Sequence, residues 1–541
     1  MDLKEEHAEE KHIERSFVEP TLPPEVVALY EKFDDDRKKK LLRKMDLHLI
    51  PIITVLYLCA YLDRGNIGNA KLAGLLDGAH INDHEYNICL TVFFITYVIF
   101  EVPANILLKK FKPSVWIPVI SVAWGIVMVC HGFVHNYAGL LACRLVLGIP
   151  EAGIFPACSY YVTMWYPRAE AQYRTALFYG AASLAGAFSG LLAYCISLMD
   201  GVGGYAGWQW IFILEGLATV VAGMAAWFFI HDSPNGAKWL DQEEKDFINS
   251  QLAYDGNSAG NALQEGKKKS FYIKEAFSDW QIYLSAMIFI GISTSTYGIV
   301  FGLPSIIKNL GYTARIAQLL TVPPYATACV LTIIVAHFSD KYKKRGVFII
   351  GSLTASAIGF ILAIATSNRP DLSGVTYAGC FIACCGFYPA FPGVIAWLAN
   401  NLAGSYKRAV GMGLQISIGN TGGLIGSNIF RDKDAPAYRL GYGISIGFIC
   451  MSAGCATLMV ILLNRINKKR DAVVEEMGGE AVVVEEHGEW NLTEMGDRSL
   501  LFRIAEYIDE YDTFKADVAE LNGFAKNLTH DPQLGPGHRI Y

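Results

Sequence analysis

Residues 440–464 read LGYGISIGFICMSAGCATLMVILLN, a long run without a charged side chain. An α-helix needs about 20 apolar residues to cross the ~30 Å hydrocarbon core of a bilayer. The run therefore predicts a membrane-spanning helix. Charges return directly after it, at Arg465 and then at Lys468, Lys469 and Arg470.

Eleven other stretches of the chain have the same character. Of all 541 residues, 52% are apolar and 18% are charged, whereas a soluble domain carries about 25% charge. We therefore predict an all-α membrane protein with twelve transmembrane helices in contact with the lipid bilayer. The predicted spans are 48–68, 86–108, 115–134, 138–164, 173–197, 208–230, 281–304, 316–338, 346–366, 374–398, 408–430 and 440–464.

A polar segment separates the sixth span from the seventh and divides the spans into two sets of six. Phe155-Pro156 and Phe391-Pro392 lie in corresponding spans of the two sets, and glycine-rich spans follow both. Parallel repeats of this kind are typical of major facilitator transporters. The predicted parts are an N-terminal tail (1–47), a first six-helix half (48–230), a central loop (231–280), a second six-helix half (281–464) and a C-terminal tail (465–541).

Lysine and arginine residues predict how the chain is oriented. They are enriched before the first span and in every second loop, whereas the loops at 132–137 and 198–207 contain neither residue type. Cytoplasmic loops of membrane proteins carry an excess of these residues. Both tails and the central loop are therefore predicted to be cytoplasmic.

Four charges lie within predicted spans. Asp63 and Arg64 are in the first, and Arg144 and Glu151 are in the fourth, seven residues apart and so on one helix face. A charge at the centre of a bilayer costs at least ~2.5 kcal/mol, so it usually has a partner or a function. If the two helices meet, the four groups surround one cavity, in which a carboxyl takes a proton and an arginine binds a substrate anion. The alternative is two structural salt bridges.

Neutral polar side chains in the spans are candidates for recognising the shape of the substrate. The predicted substrate-binding set adds Tyr61, Tyr297, Gln415 and Asn420 to the two arginines. Glu101 and Glu215 are interpreted as structural.

No catalytic, nucleotide-binding or metal-binding signature is apparent in the sequence. It contains no glycine-rich phosphate loop ending in Lys-Ser or Lys-Thr and no His-Glu-x-x-His. We predict a secondary transporter rather than an enzyme, without a cofactor or metal. Its predicted partners are a small organic anion and protons, not nucleic acid, and it is expected to be a monomer.

Three segments carry a family resemblance: LYLCAYLDRGNIGNAK (56–71), RLVLGIPEAGIFPA (144–157) and MDGVGGYAGWQWIFILEG (199–216). They resemble the fungal allantoate permease family, in the anion:cation symporter branch of the major facilitator superfamily, which includes nicotinic acid transporters. The match runs from about Arg43 to about Phe502. It implies the major facilitator fold, and uptake at the plasma membrane by proton symport.

The resemblance also implies roles for residues. Asp63 and Glu151 match the protonation sites of the branch, and Arg64 and Arg144 match its residues for substrate binding and coupling. Pro150 departs from the family pattern and is expected to kink the fourth span.

The loop after the eighth span is similar to a gating loop of major facilitator transporters. Its matching residues are Asp340, Lys341, Lys344 and Arg345.

The sequence leaves other functions possible. An exporter of a carboxylated secondary metabolite and a nutrient receptor with little transport are alternatives to the importer. The tail at 503–541 has no recognised counterpart in the family.

Overall fold

The computed structural model describes residues 29–30, 32–108, 110–254, 269–342, 344–402 and 405–477, and no β-strand occurs among them. Part of the N-terminal tail and the tail at 503–541 lie outside these residues. The α-helices are α1 (Asp35–Leu72), α2 (Leu75–Gly78), α3 (Asp83–Leu108), α4 (Pro113–His131), α5 (Tyr137–Glu151), α6 (Ile154–Trp165), α7 (Arg168–Ser197), α8 (Gly207–Phe229), α9 (Gln242–Tyr254), α10 (Lys269–Phe277), α11 (Trp280–Asn309), α12 (Ala314–Leu320), α13 (Val322–Tyr342), α14 (Arg345–Thr366), α15 (Ser373–Asn401), α16 (Ser405–Asn420), α17 (Gly422–Gly426) and α18 (Arg439–Glu476).

The helices group into the twelve predicted spans. Within the described residues, nine helices are long and apolar enough to cross a membrane, counting α5–α6 and α12–α13 as one each. The helices α3, α7 and α16–α17 occupy the other three positions. The all-α fold with two six-helix halves is therefore confirmed, with α9 and α10 between the halves.

Three spans are interrupted where the sequence contains proline or glycine. The fourth is interrupted just after Pro150, between Glu151 and Ile154, close to where a kink was expected. The eighth breaks before Pro323. The eleventh breaks at Thr421, ahead of two glycines. Proline lacks the N–H that continues a helix and clashes with the preceding turn, which explains the break ahead of Pro323.

Small residues allow close helix packing inside each half. In the first half Gly148 lies against Thr96 and the backbone of α3. In the second half Gly359 of α14 and Gly379 of α15 lie against each other's helix backbone, where a Cβ atom has no room. Close backbone approach of this kind is the usual way in which membrane helices gain packing energy.

The contacts between the two halves are concentrated at one end of the bundle, where α1 ends at Leu72. We call this the Leu72 end. There α1 packs on α11, α7 on α13, and α3 on α17. Gln318 Nε2 donates a hydrogen bond to the carbonyl oxygen of Asn69, and Asn428 Nδ2 donates one to Thr91 Oγ1. The two halves are thus joined through polar as well as apolar contacts.

The central segment contributes a helix that docks on the start of α1. The ring of Phe247 in α9 stacks on that of Phe33, with centroids 4.1 Å apart. Glu243 pairs with Arg37, and Glu244 pairs with Lys44 at 2.7 Å. The beginning of α1 therefore extends beyond the apolar span and is held by the central segment.

Candidate transport site

The centre of the site is a buried ion pair between α1 and α5. Arg64 donates hydrogen bonds from Nε and Nη2 to the same oxygen of Glu151, at 2.8 and 2.5 Å. Glu151 is fully buried and Arg64 is 5% exposed. The first and fourth spans therefore meet, which the sequence left as a condition, and they meet through this pair.

Arg64 also reaches the second half of the protein. Its Nη1 donates a hydrogen bond to the hydroxyl of Tyr297 on α11, at 2.6 Å. The guanidinium carbon lies 4.9 Å from the ring centroid of Tyr97 and 5.1 Å from that of Tyr61. Aromatic faces attract a cation, and this attraction strengthens when both are removed from water. The arginine is thus held between the halves by one carboxylate, one hydroxyl and several rings.

A cavity lies beside this arrangement, between the two halves. In this state its open volume is about 30 Å³, room for about two water molecules, so it is much smaller than a small-molecule site. Its walls come from α1, α7, α11, α13 and α15, together with Thr321, and both halves contribute. The lining residues are Tyr61, Gly65, Asn69, Gly186, Ser189, Gly190, Val300, Pro304, Thr321, Tyr325 and Tyr388.

Asp63 faces away from Arg64. Trp124 Nε1 and Thr219 Oγ1 both donate to its Oδ2, at 2.9 and 2.8 Å. These partners lie on α4 and α8, so the Asp63 carboxylate is inside the first half. Of the four charges only Arg64 and Glu151 contact each other, and none of the four lines this cavity, so the expectation that all four surround it is wrong.

Arg144 is buried on the other side of Glu151. It is 1% exposed and faces Tyr86 and Cys89 of α3. Among the described residues, its Nε and Nη2 atoms have no hydrogen-bonding partner. A buried guanidinium with unused donors is suited to receive an anion, although the structure does not place it at the cavity wall.

The remaining predicted binding residues separate into different positions. Gln415 is fully buried inside the second half, where its Nε2 donates to Ser285 Oγ at 2.6 Å. Asn420 instead faces the other half and interacts with Glu101 of α3. Glu101 is therefore an interface residue, whereas Gln415 is in helix packing.

The predicted gating loop lies at the end of the bundle opposite Leu72. Lys341 and Lys344 are exposed there. Arg345 Nη1 donates to the carbonyl oxygen of Ala396 on α15, at 3.0 Å. The side chain of Asp340 lies outside the described part of the chain.

A charged cluster at the Leu72 end was not predicted from the sequence. Lys71 forms ion pairs with Asp83 at 3.1 Å and with Asp432, across the halves, at 2.8 Å. Its amino group also lies 4.7 Å from the ring centroid of Tyr86. Burial raises the pKa of Asp432, and the nearby Asp83 adds to this, whereas Lys71 opposes it. The signal available in the sequence was a lysine at the very end of the first span.

Trp124, Thr219 and Tyr325 were also missed. They are single aromatic or hydroxyl residues in apolar spans, and nothing in their spacing distinguishes them from ordinary core residues.

Two six-helix halves with a small cavity between them, beside a buried ion pair of the first half that is bonded to the second half, have the architecture of a membrane transporter. The family model of the Major Facilitator Superfamily matches residues 53–427. The chain belongs to this superfamily.

Similar proteins agree with this class. The chain is 37% identical to the MFS-type transporter cnsO of Penicillium expansum, over 87% of this chain and 91% of the relative. It is 33% identical to the high-affinity nicotinic acid transporter of Saccharomyces cerevisiae, over 81% and 80%. Among solved structures, the proton:xylose symporter XylE superposes with a TM-score of 0.57 at 17% identity, covering 76% of this chain and 95% of that one, and supports the fold.

Proposed function

We propose that the chain is a proton-coupled symporter of the allantoate permease branch. Its substrate would be a small organic anion, a nicotinate-, allantoate- or other vitamin-like carboxylate, imported across the plasma membrane by a monomer with both termini in the cytoplasm. The observation that carries the proposal is the buried Arg64–Glu151 pair, bound across the halves to Tyr297.

The pair suggests how a proton and an anion are coupled. While Glu151 is ionised, it occupies two of the donors of Arg64. A proton on Glu151 removes the negative charge and leaves the guanidinium without a counterion in a low-dielectric site. A substrate carboxylate then restores the balance by accepting the same donors in a two-point contact. Substrate binding and protonation thereby favour each other.

Asp63 and Arg144 have supporting parts in this proposal. Asp63 is adjacent to Arg64 in the chain but bonded to α4 and α8, so its charge acts on the arginine through the field rather than by contact. Arg144 supplies a second positive charge near Glu151. Both residues match the roles that the resemblance implies.

Two gates follow from the proposed orientation. With cytoplasmic termini, the Leu72 end is the outer end, and the cluster of Lys71, Asp83 and Asp432 closes it. The loop of Asp340, Lys341, Lys344 and Arg345 then lies at the cytoplasmic end. The described state is closed outside, and the outer cluster separates when the cavity opens outward.

The substrate class is suggested by the named relative that carries nicotinic acid. The polar and aromatic cavity walls are suited to a small carboxylate. The test is uptake of a panel of labelled carboxylates in cells without their own permeases, at external pH values above and below that of the cytoplasm. Acid outside should stimulate uptake of the true substrate. Stimulation by alkaline pH instead would favour an exporting antiporter, and binding without accumulation would favour a receptor.

A further inference from the structure

A second buried polar cluster lies between α1 and α8, apart from the cavity. It consists of Asp63 and Asn66 on α1, and of Glu215 and Thr219 on α8. Asp63 and Asn66 are fully buried, Thr219 is 1% exposed and Glu215 is 6% exposed. We call these four residues the α1–α8 cluster.

The register of the two helices brings the members together in pairs. Asp63 and Asn66 are three residues apart on α1, and Glu215 and Thr219 are four apart on α8, so each pair lies on one helix face. The two helices are packed together and run in opposite directions. Thr219 Oγ1 bonds to Asp63 at 2.8 Å, which places Glu215 one turn further toward the Leu72 end, beside Asn66.

The cluster contains several polar atoms without a partner. Among the described residues, Asp63 Oδ1, both carboxylate oxygens of Glu215 and both amide atoms of Asn66 have no hydrogen bond. A buried polar atom without a partner is destabilising, and more so when it is charged. Five such atoms around two acids are a feature that helix packing alone does not explain.

The charge of the cluster is also unbalanced. Within the described part of the chain, neither carboxylate has an ion-pair partner, and the charged groups that act on Asp63 are Arg144 and Glu151. Cys59 is the other titratable side chain facing the pair. Two carboxylates that are buried close together cannot both remain ionised without a large penalty, so at least one proton belongs to this pair.

We propose that Asp63 and Glu215 hold one exchangeable proton between them, so that Glu215 is a second proton-carrying residue of the transport cycle. Asn66 is placed to serve each state of Glu215, because an amide can donate to a carboxylate and accept from a carboxyl. When the proton passes from Glu215 to Asp63, the pair keeps a charge of −1. A proton arriving from the aqueous phase brings the pair to zero, and its departure restores −1.

This inference deepens the proposed function, since it assumes that protons drive transport. It differs from the single-site view of Asp63 in one measurable way. Two interacting carboxyls titrate as a pair, and removal of either one changes the titration of the other.

The test is an infrared titration of the purified full-length protein without substrate, in which the carbonyl stretch of protonated carboxyls is followed from pH 4 to 10. The wild-type band is compared with those of Glu215→Gln and Asp63→Asn. We expect each variant to lose one carboxyl component, and the midpoint of the remaining carboxyl to lie about one unit or more below the higher of the two wild-type midpoints, because no neighbouring negative charge opposes its ionisation. An unchanged Asp63 midpoint in Glu215→Gln would overturn the proposal.

Two controls keep the result interpretable. Ser121→Ala removes another fully buried hydroxyl without a described partner, on α4 and outside the cluster, and should leave the band unchanged. If Glu215→Gln does not fold, Asp63→Asn gives the reciprocal measurement on Glu215, and the same absence of a shift would refute the pair.

Transport measurements separate this inference from the proposed function. Glu215→Gln should retain exchange of labelled for unlabelled substrate, while the midpoint of its uptake–pH curve shifts. If uptake by the wild-type protein does not depend on pH, proton symport is refuted, although the infrared shift could still be present. Normal proton-driven uptake with no shift in either assay would refute only the role of Glu215.

Discussion

Arg64 of the first half donates a hydrogen bond to the hydroxyl of Tyr297 in the second half, at 2.6 Å. The same guanidinium is paired with Glu151, so the charge pair of one half is physically joined to the other half. A change in the Arg64–Glu151 pair therefore alters a contact between the two halves.

Tyr297→Phe should weaken transport while preserving the fold. The ring of Tyr297 remains packed against Phe94 and Phe301, but the bond to Arg64 is lost. A hydrogen bond to a charged group is worth ~1.5–3 kcal/mol, so we expect the apparent substrate affinity to fall by about tenfold or more. Concentration-dependent uptake measures this, with Tyr312→Phe, an exposed tyrosine, as the control. Equal affinities in wild type and Tyr297→Phe would mean that this bond has no part in binding.

Glu151→Gln and Asp63→Asn should each separate substrate movement from the proton gradient. Both changes keep the size of the side chain but remove its ability to ionise. We expect accumulation against a gradient to be lost in each, while Glu151→Gln still exchanges labelled for unlabelled substrate, because Arg64 is permanently free to bind the anion. Counterflow and proton-driven uptake are measured in the same vesicles. Normal accumulation by both variants would leave only the structural salt-bridge interpretation.

Arg144→Ala tests the second arginine. Because Nε and Nη2 of Arg144 have no described partner, its loss removes a positive charge without breaking a bond seen in this state. We expect substrate affinity to fall, and Arg144→Lys to restore it only in part, since lysine lacks the planar fork. Unchanged affinity in Arg144→Ala would make this residue a structural one.

The sequence was sufficient for the fold because most of the spans are long apolar runs with charges near their ends. It was less informative about the site, because facing directions depend on the whole bundle. Asp63 and Arg64 are neighbours in sequence, yet consecutive residues on a helix point about 100° apart. Arg64 therefore reaches the other half, whereas Asp63 bonds to Trp124 and Thr219.

The spacing of Arg144 and Glu151 shows the same limit. Seven residues place the two on one face, but they also separate them by about 10 Å along the helix. The shared face was correctly predicted from the spacing, whereas the partner of Glu151 comes from α1, which no pattern within α5 could reveal.

The cluster at the Leu72 end predicts a pH-dependent gate. Burial in the closed state raises the pKa of Asp432, whereas an open gate would return it to water and to its ordinary value. The closed state thus binds the proton more tightly, and falling pH should stabilise it, from the raised pKa down to about 4. A cysteine replacing Val300 in a cysteine-free background should react more slowly with an impermeant thiol reagent from outside as the pH falls. Asp432→Asn should abolish this dependence, and Asp371→Asn, at an exposed site, should not. A dependence that survives in Asp432→Asn would assign it to another group.

Two glycines of the cavity wall should respond oppositely to the same substitution. A Cβ atom at Gly65 would lie 3.6 Å from Val300 and 3.7 Å from Ser189, which is ordinary contact, whereas one at Gly190 would collide with Thr321 and lie 2.6 Å from the carbonyl oxygen of Gln318. Gly65→Ala should keep or raise the melting temperature, because alanine favours the helix, and should reduce uptake of bulkier carboxylates more than of small ones. Gly190→Ala should force α7 and the end of α12 apart and lower stability by ~1–3 kcal/mol, the usual effect of overpacking. Thermal unfolding of the purified variants and uptake of a size series measure both effects. If Gly65→Ala transports the whole series like wild type, the cavity between the halves is not where the substrate is selected.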